Sequence, residues 1–381
     1  MLINRIETFM VPPRWLFVRV ETDTGIVGWG EPVIEGRAET VRAAVEQLAE
    51  LLIGQPAERV EDHWQLMSKG AFYRGGPIMS SAISGLDQAL WDIAGKDLGV
   101  PVHRLLGGHV REHIRAYSWV GGDEPSEVAD SISEQVEAGF TAIKMNANGR
   151  TDRLSTSGEI DAIVARAEVA RNVLGTERDF GMDFHGRFTA ANFRRIAPLL
   201  EASRPLFLEE PVLPEFSHLL AGVVDSTSIP IATGERLFSR ADFLPALMAG
   251  IAIAQPDLSH AGGISEVRRI AALADVYDVL LAPHCPLGPI ALASCLQIGF
   301  STPNYLIQEQ SVGIHYNKGA DVLDYLVDTS DLRIENGYIA LLKKPGLGVE
   351  IDEVAVRKAD KTGHSWRSPS WRHLDGSFAE W

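Results

Sequence analysis

Six ionisable side chains recur at near-constant spacing through the second half of the chain. Asp183, Glu209 and Glu235 stand 26 residues apart, and Asp257, His284 and Glu309 follow at intervals of 22, 27 and 25. Each closes a short apolar run, as in Leu206-Phe207-Leu208-Glu209. Such an interval is about the length of one strand–helix unit, so a polar group returns at the same end of every unit. Three carboxylates converging from neighbouring strand ends repel one another unless a cation lies between them. All-oxygen ligation selects a hard divalent ion, Mg²⁺ or Mn²⁺, over zinc. A single acid after a strand is an ordinary helix N-cap. Six groups in register, one of them a histidine, are not explained that way.

Strand alternation assigns directions, because residues two apart share a face. Asp183 and His185 therefore face together, with Phe184 opposite. Phe207 pairs with Glu209, which makes Glu209 the expected ligand and Glu210 a supporting acid. Lys144 and Asn146 form a like pair one strand earlier and are expected to touch substrate. Cys285 alternates away from His284 and reads as a buried thiol. Cys285 and Cys295 lack metal-ligand or Cys-x-x-Cys spacing. Neither a P-loop nor Gly-x-Gly-x-x-Gly after a strand occurs, so no nucleotide cofactor is expected.

The elements that must carry these groups are legible as alternating short apolar strands and helical patterns. Strand-like runs fall at 114–120, 142–145, 180–184, 206–208, 229–232, 251–255, 279–282 and 305–308. Eight such runs in about 200 residues suit an α/β barrel better than an open doubly wound sheet. Before them, residues 14–31 read as a hairpin around Asp23-Thr24-Gly25. Val41, Val45, Leu48 and Leu52 then mark an amphipathic helix, and a second helix covers 79–96. After Gly319 the chain returns to hairpin character at Asn336-Gly337. The tail from 365 carries three tryptophans and reads as ordered packing.

Composition bounds the partners. The 381 residues carry 35 Lys+Arg against 51 Asp+Glu, a net charge of −16, with 45% hydrophobic residues. That balance is globular and repels phosphate backbones and anionic headgroups, so neither nucleic acid nor a membrane surface is expected. An anionic small substrate remains compatible, since a local cation reverses the field inside a site. The N-terminus has no apolar run of signal-peptide length, and no stretch reaches the ~20 apolar residues of a membrane span. A cytoplasmic protein is expected.

Together these motifs resemble the enolase superfamily over essentially the whole chain. Asp183, Glu209 in Leu208-Glu209-Glu210-Pro211 and Glu235 in Gly234-Glu235-Arg236 match its three Mg²⁺ ligands. Ala89-Leu90-Trp91-Asp92-Ile93-Ala94-Gly95-Lys96 matches its capping-domain helix. The resemblance implies a modified TIM-type barrel, (β/α)7β, over 113–318. It implies an α+β capping domain over 1–112, with 319–381 returning to that domain. Asp257 and His284 stand where the mandelate-racemase-like branch has its Asp–His dyad. Glu309 stands where that branch has an acidic hydrogen-bond donor. The racemases' Lys-x-Lys is here Lys144-Met145-Asn146, and His185 offers a different acid or base. The implied function is Mg²⁺-dependent dehydration of a sugar acid by a homo-oligomeric enzyme. In it His284 is the base, Asp257 its partner and His185 the acid. A racemase or epimerase would leave His185 idle, and a non-catalytic sugar-acid-binding protein would need neither triad nor dyad.

Overall fold

The computed structural model describes residues 1–121, 125–149 and 151–380. Three antiparallel strands open the chain: β1 (Ile3–Val11), β2 (Trp15–Thr22) and β3 (Val27–Gly30). The pair β2–β3 is the hairpin expected from the sequence. Strand β1 was not anticipated, because Arg5 and Glu7 interrupt its apolar residues and a register shift between Ile3 and Arg5 breaks the period of two. Helices α1 (Ala38–Leu52) and α3 (Pro77–Asp97) pack on this sheet, and α2 (Val60–Lys69) packs on α3 and α1. Helix α3 approaches β3 so closely that only glycine fits at two positions. A Cβ on Gly28 would fall 2.1 Å from the Ala89 carbonyl oxygen, and one on Gly30 would fall 1.8 Å from that of Gly85.

The barrel consists of β4 (His113–Val120), β5 (Ala142–Asn146), β6 (Asp179–Asp183), β7 (Phe207–Glu209), β8 (Ile231–Thr233), β9 (Ile253–Ala254), β10 (Leu280–Leu281) and β11 (Gln308–Glu309). Strands β4 to β10 pair in parallel in that order. Strand β11 pairs with β4, and a parallel bridge from Leu281 to Tyr305 closes the ring. At least one helix lies between each successive pair of strands, giving (β/α)7β. A small apolar cluster of Tyr117, Ala142, Phe207, Ala232, Ile253, Ala282 and Ile307 fills the interior. Most of these stand two residues before a polar group, as Ala142 precedes Lys144, Phe207 Glu209, Ala282 His284 and Ile307 Glu309. The floor of the site is therefore the same face of the same strands.

The segment 319–381 divides its contacts, where a return to the capping domain alone was expected. Its hairpin β12 (Ile334–Glu335) and β13 (Tyr338–Ala340) turns at Asn336 and Gly337, both with positive φ. Strand β13 pairs antiparallel with β4, so it extends the barrel sheet. The helix Glu353–Asp360 packs on β1, where Asp360 accepts from the Met10 amide. A last hairpin, β14 (Trp371–Arg372) and β15 (Phe378–Ala379), lies at the end of the described chain.

Buried polar contacts join the capping domain to the barrel loops that bear Asp257 and His284. Gln88 accepts from the Glu31 amide and donates to the Leu258 carbonyl and Ser259 hydroxyl. Glu31 accepts from the amides of Gly288 and Ala291, at the start of the helix Pro289–Ser301. Asp87 accepts from the amide and hydroxyl of Ser265. Helix N-termini favour such an acceptor. Burial nevertheless pushes Glu31 up to about 8 from 4.5, against the pull of those two amides. The unfolded chain thus releases this proton first. Stability from Glu31 is complete below the unfolded value and is lost as the pH rises towards the folded one. Urea denaturation at about pH 5 and about pH 8 should show a steeper loss for the wild type than for Glu31→Gln. Equal pH dependence of the two proteins would contradict this account.

Candidate active site at the strand ends

Each site residue sits at the carboxyl end of its strand or just beyond it. Asp183, Glu209 and Glu235 each offer a carboxylate oxygen within 4.8 Å of the others. Asp183 and Glu209 are fully buried. Lys144 from β5 reaches into the same space. Its Nζ donates to Glu209 Oε1 at 2.6 Å and lies 2.8 Å from Glu309 Oε1 and 3.5 Å from Asp183 Oδ2. Burial opposes its charge, yet the surrounding carboxylates hold the ammonium well above its usual range. Asn146, on the same face of β5, is half-buried, and its Oδ1 has no hydrogen-bond partner among the described residues.

The donor set fits a hard cation. Among the described residues, neither Asp183 Oδ2 nor Glu235 Oε2 receives an aligned hydrogen bond, although both are buried. A buried carboxylate oxygen without a well-aligned donor is costly unless a cation faces it. Lys144 supplies one positive charge to a cluster that includes Asp183, Glu209, Glu235 and Glu309. Burial and the neighbouring carboxylates, Asp183 first among them, drive Glu209 well above the usual carboxylate range. A divalent ion relieves that repulsion, and these three acids could hold it.

Glu210 faces away from the cluster, as alternation implied. It accepts from Thr233 Oγ1, the Gly234 amide and Arg236, with Arg236 Nε at 2.8 Å. The backbone just after β6 and β7 takes the left-handed conformation at non-glycine residues, with φ 49° at His185 and 48° at Glu210. Such strain persists where surrounding contacts hold it, and it concentrates at functional sites.

Two histidines flank the acids in matching fashion. His284 Nδ1 lies 2.8 Å from Asp257 Oδ2, and its Nε2 points 3.5 Å from Glu235 Oε2. Asp257 is held by the Ser259 amide at 2.7 Å. Burial alone would lower the basicity of His284, but Glu235, Glu309 and Asp257 raise it well above the ordinary imidazole value. His185 Nδ1 accepts from Arg187 Nη2 at 3.0 Å, since a guanidinium only donates. The neutral ring therefore carries its proton on Nε2, which faces Asp183 Oδ2 at 2.9 Å. Glu309 Oε2 accepts from the Cys285 amide at 2.8 Å, and its Oε1 lies 2.8 Å from Lys144 Nζ. The Cys285 thiol is buried, as expected.

The structure also brings to the site Gln255, Arg187 and Arg236, which the sequence reading did not name as site residues. Gln255 donates to Glu209 Oε2 at 2.7 Å. Its signal was available, because it stands two residues before Asp257 and just beyond the end of β9. Arg187 and Arg236 gave no such signal, because each follows a turn whose conformation alternation does not describe. Arg14, fully buried, donates to Glu35, Asn317 and the Pro286 carbonyl and lies 4.5 Å from the Tyr316 ring centroid. It fastens the capping domain over the loop that carries His284.

A closed parallel barrel with acids, a cation and two oriented histidines at its strand ends defines a class of proteins built for proton transfer beside a divalent metal. The chain matches the mandelate racemase/muconate lactonizing enzyme N-terminal domain over residues 8–107 and the enolase C-terminal domain-like family over 127–355. It belongs to the mandelate racemase/muconate lactonizing enzyme family of the enolase superfamily, whose members bind a divalent metal. It is 54% identical over 382 aligned positions to D-galactonate dehydratase of Pectobacterium atrosepticum, covering 100% of both chains. The D-galactonate dehydratase of Ralstonia pickettii is likewise 54% identical over the full length of both. Among solved structures, an enolase from Agrobacterium radiobacter with bound Na and L-malate superposes with a TM-score of 0.91 at 31% identity, covering 100% of each chain. Among the described residues, no helix is long and apolar enough to cross a membrane.

The Asp257–His284 contact generates a prediction that needs no substrate. Asp257→Asn replaces a buried carboxylate beside His284 by a neutral amide. The imidazole should then lose its proton at lower pH, read as a downward shift in its titration midpoint by NMR. An unmoved midpoint would show that Asp257 does not tune this ring.

Proposed function

We propose that the protein is a hydro-lyase that converts D-galactonate to 2-dehydro-3-deoxy-D-galactonate, with one Mg²⁺ per site. The observation that carries this reading is the matched pair of histidines. Each turns Nε2 towards the carboxylate cluster while a charged partner fixes Nδ1. Dehydration needs one group to take a proton and another to give one, and this arrangement provides two distinct groups. The full-length likeness to D-galactonate dehydratases supports the choice of sugar acid.

Asp183, Glu209 and Glu235 are the residues that would hold Mg²⁺. When bound, the ion lends positive charge to the substrate carboxylate, an effect worth several kcal/mol as negative charge grows there. His284 Nε2 takes the proton from carbon 2, and Asp257 stabilises the imidazolium that results. The bond from carbon 3 to its hydroxyl then breaks, and His185 gives its Nε2 proton so that water departs, the Arg187 guanidinium at Nδ1 holding the negative charge left on the ring. The remaining enol gains at carbon 3 the proton held by His284 and returns its hydroxyl proton to His185, which leaves the 2-keto acid and two neutral rings. For Glu309 to donate to a substrate carboxylate oxygen, one of its own oxygens must carry a proton. Lys144 lies buried between Glu209 and Glu309 and pairs with both. The free Oδ1 of Asn146 is left for a substrate hydroxyl. A racemase would need an unencumbered base on the second strand, and Lys144 is engaged by acids. The subunits assemble as a homo-oligomer in the cytoplasm on this reading.

Two measurements test it. EDTA should abolish keto-acid formation from D-galactonate, and Mg²⁺ should restore it; turnover by metal-free protein would sink the mechanism. In D₂O, His185→Asn should lose dehydration by about 10²–10⁴-fold yet still exchange the carbon-2 proton of unreacted substrate. His284→Asn should lose both. Normal dehydration by the His185 variant would remove it from the acid role.

A further inference from the structure

Arg187, which pins His185, is itself held from a distant part of the chain. Its side chain is buried, with only 3% of its surface exposed. One guanidinium nitrogen donates to His185 Nδ1, and the other donates to the Asn148 carbonyl after β5. The guanidinium carbon lies 4.8 Å from the ring centroid of Trp371, on strand β14 of the last hairpin. That hairpin is anchored to the same post-β5 loop. His373 Nδ1 lies 2.9 Å from Asp152 Oδ1, and the turn is closed by the Gly376 and His373 amides, which donate to the carbonyls of His373 and Ser377. The tail therefore reaches the acid side of the site through two rings and one planar cation.

We infer that Trp371 is a positioning residue for His185, acting through Arg187. Three of its features carry this. A planar cation over an aromatic face is attracted to it, so the ring limits how the guanidinium can swing. Arg187 must keep one orientation for Nη2 to meet Nδ1, because the fork is rigid. The Nε of Arg187 is buried without a hydrogen-bond partner among the described residues, so polar contacts do not fix every edge of the group. With Trp371 absent, Arg187 gains freedom, His185 Nδ1 loses its donor, and Nε2 no longer faces the pocket uniquely. This inference rests on His185 being the acid.

The test uses the full-length protein with Mg²⁺ and D-galactonate, and reads dehydration, carbon-2 exchange in D₂O and the ¹⁵N resonances of His185. Trp371→Ala should lower kcat for dehydration by about 10- to 100-fold, the usual cost of losing a group that orients a site residue. Exchange at carbon 2 should persist, and KM should move far less than kcat. The His185 ring should change from one tautomer, protonated at Nε2, to a mixture. Trp371→Phe, which keeps an aromatic face, should recover most of the rate. Unchanged dehydration and an unchanged tautomer in Trp371→Ala would overturn the inference, as would equal loss of dehydration and exchange. Should Trp371→Ala fail to fold, His373→Ala releases the hairpin from Asp152 and leaves the indole intact. It should give the same tautomer mixing in smaller measure, and a single Nε2-protonated tautomer there overturns the inference. A His185→Asn protein that dehydrates normally marks a different failure, that of the acid assignment itself.

Discussion

Repulsion among buried carboxylates is the constraint around which this molecule is arranged. Asp183, Glu209, Glu235 and Glu309 meet at strand ends where water is largely excluded, and like charges in such surroundings interact strongly. Lys144 answers part of that field from inside the barrel, and the oxygens of Asp183 and Glu235 that receive no aligned hydrogen bond among the described residues could face a divalent ion. The neighbours follow from the same field. His284 is raised in basicity by the acids that face it, and Glu210 is drawn off into its own pair with Arg236. The site is thus poised to accept positive charge and to remove protons.

Such a cluster holds its geometry only if the loops beneath and above it are rigid. The apolar floor of the barrel fixes the strand ends from below. From above, Gln88 and Glu31 tie the loop after β9 and the start of the helix Pro289–Ser301 to a single capping-domain helix and strand. The dyad of Asp257 and His284 is consequently held from both sides, although its members come from different strands. Adding one Cβ at Gly263, 2.5 Å from Asp87 Oδ2, would intrude on the same seam.

Much of this was legible in the sequence because the barrel repeats a simple rule. An apolar residue lines the interior and a polar one follows two positions later, so Phe207 announces Glu209 and Ala282 announces His284 without any structure. All eight barrel strands lie within a few residues of their apolar runs. What escaped obeys no local period. Glu31 meets Gly288 across 257 residues and Gln88 meets Leu258 across 170, and nothing near either residue records its partner. Arg187 and Arg236 sit beyond strand ends in turns where alternation has lapsed. Strand β1 was hidden by an irregular register that scatters its apolar side chains.

The helix Glu353–Asp360 lies on the first strand of the chain, with Asp360 accepting from Met10 across 350 residues and Arg19 paired to Glu353. The capping domain therefore cannot be completed until nearly the whole polypeptide has left the ribosome. Its amino-terminal sheet must wait, with an apolar face uncovered, while the barrel is synthesised. Contacts this remote in sequence form late and slow assembly. The strand-end acids therefore leave the ribosome before the helix that completes the domain over them.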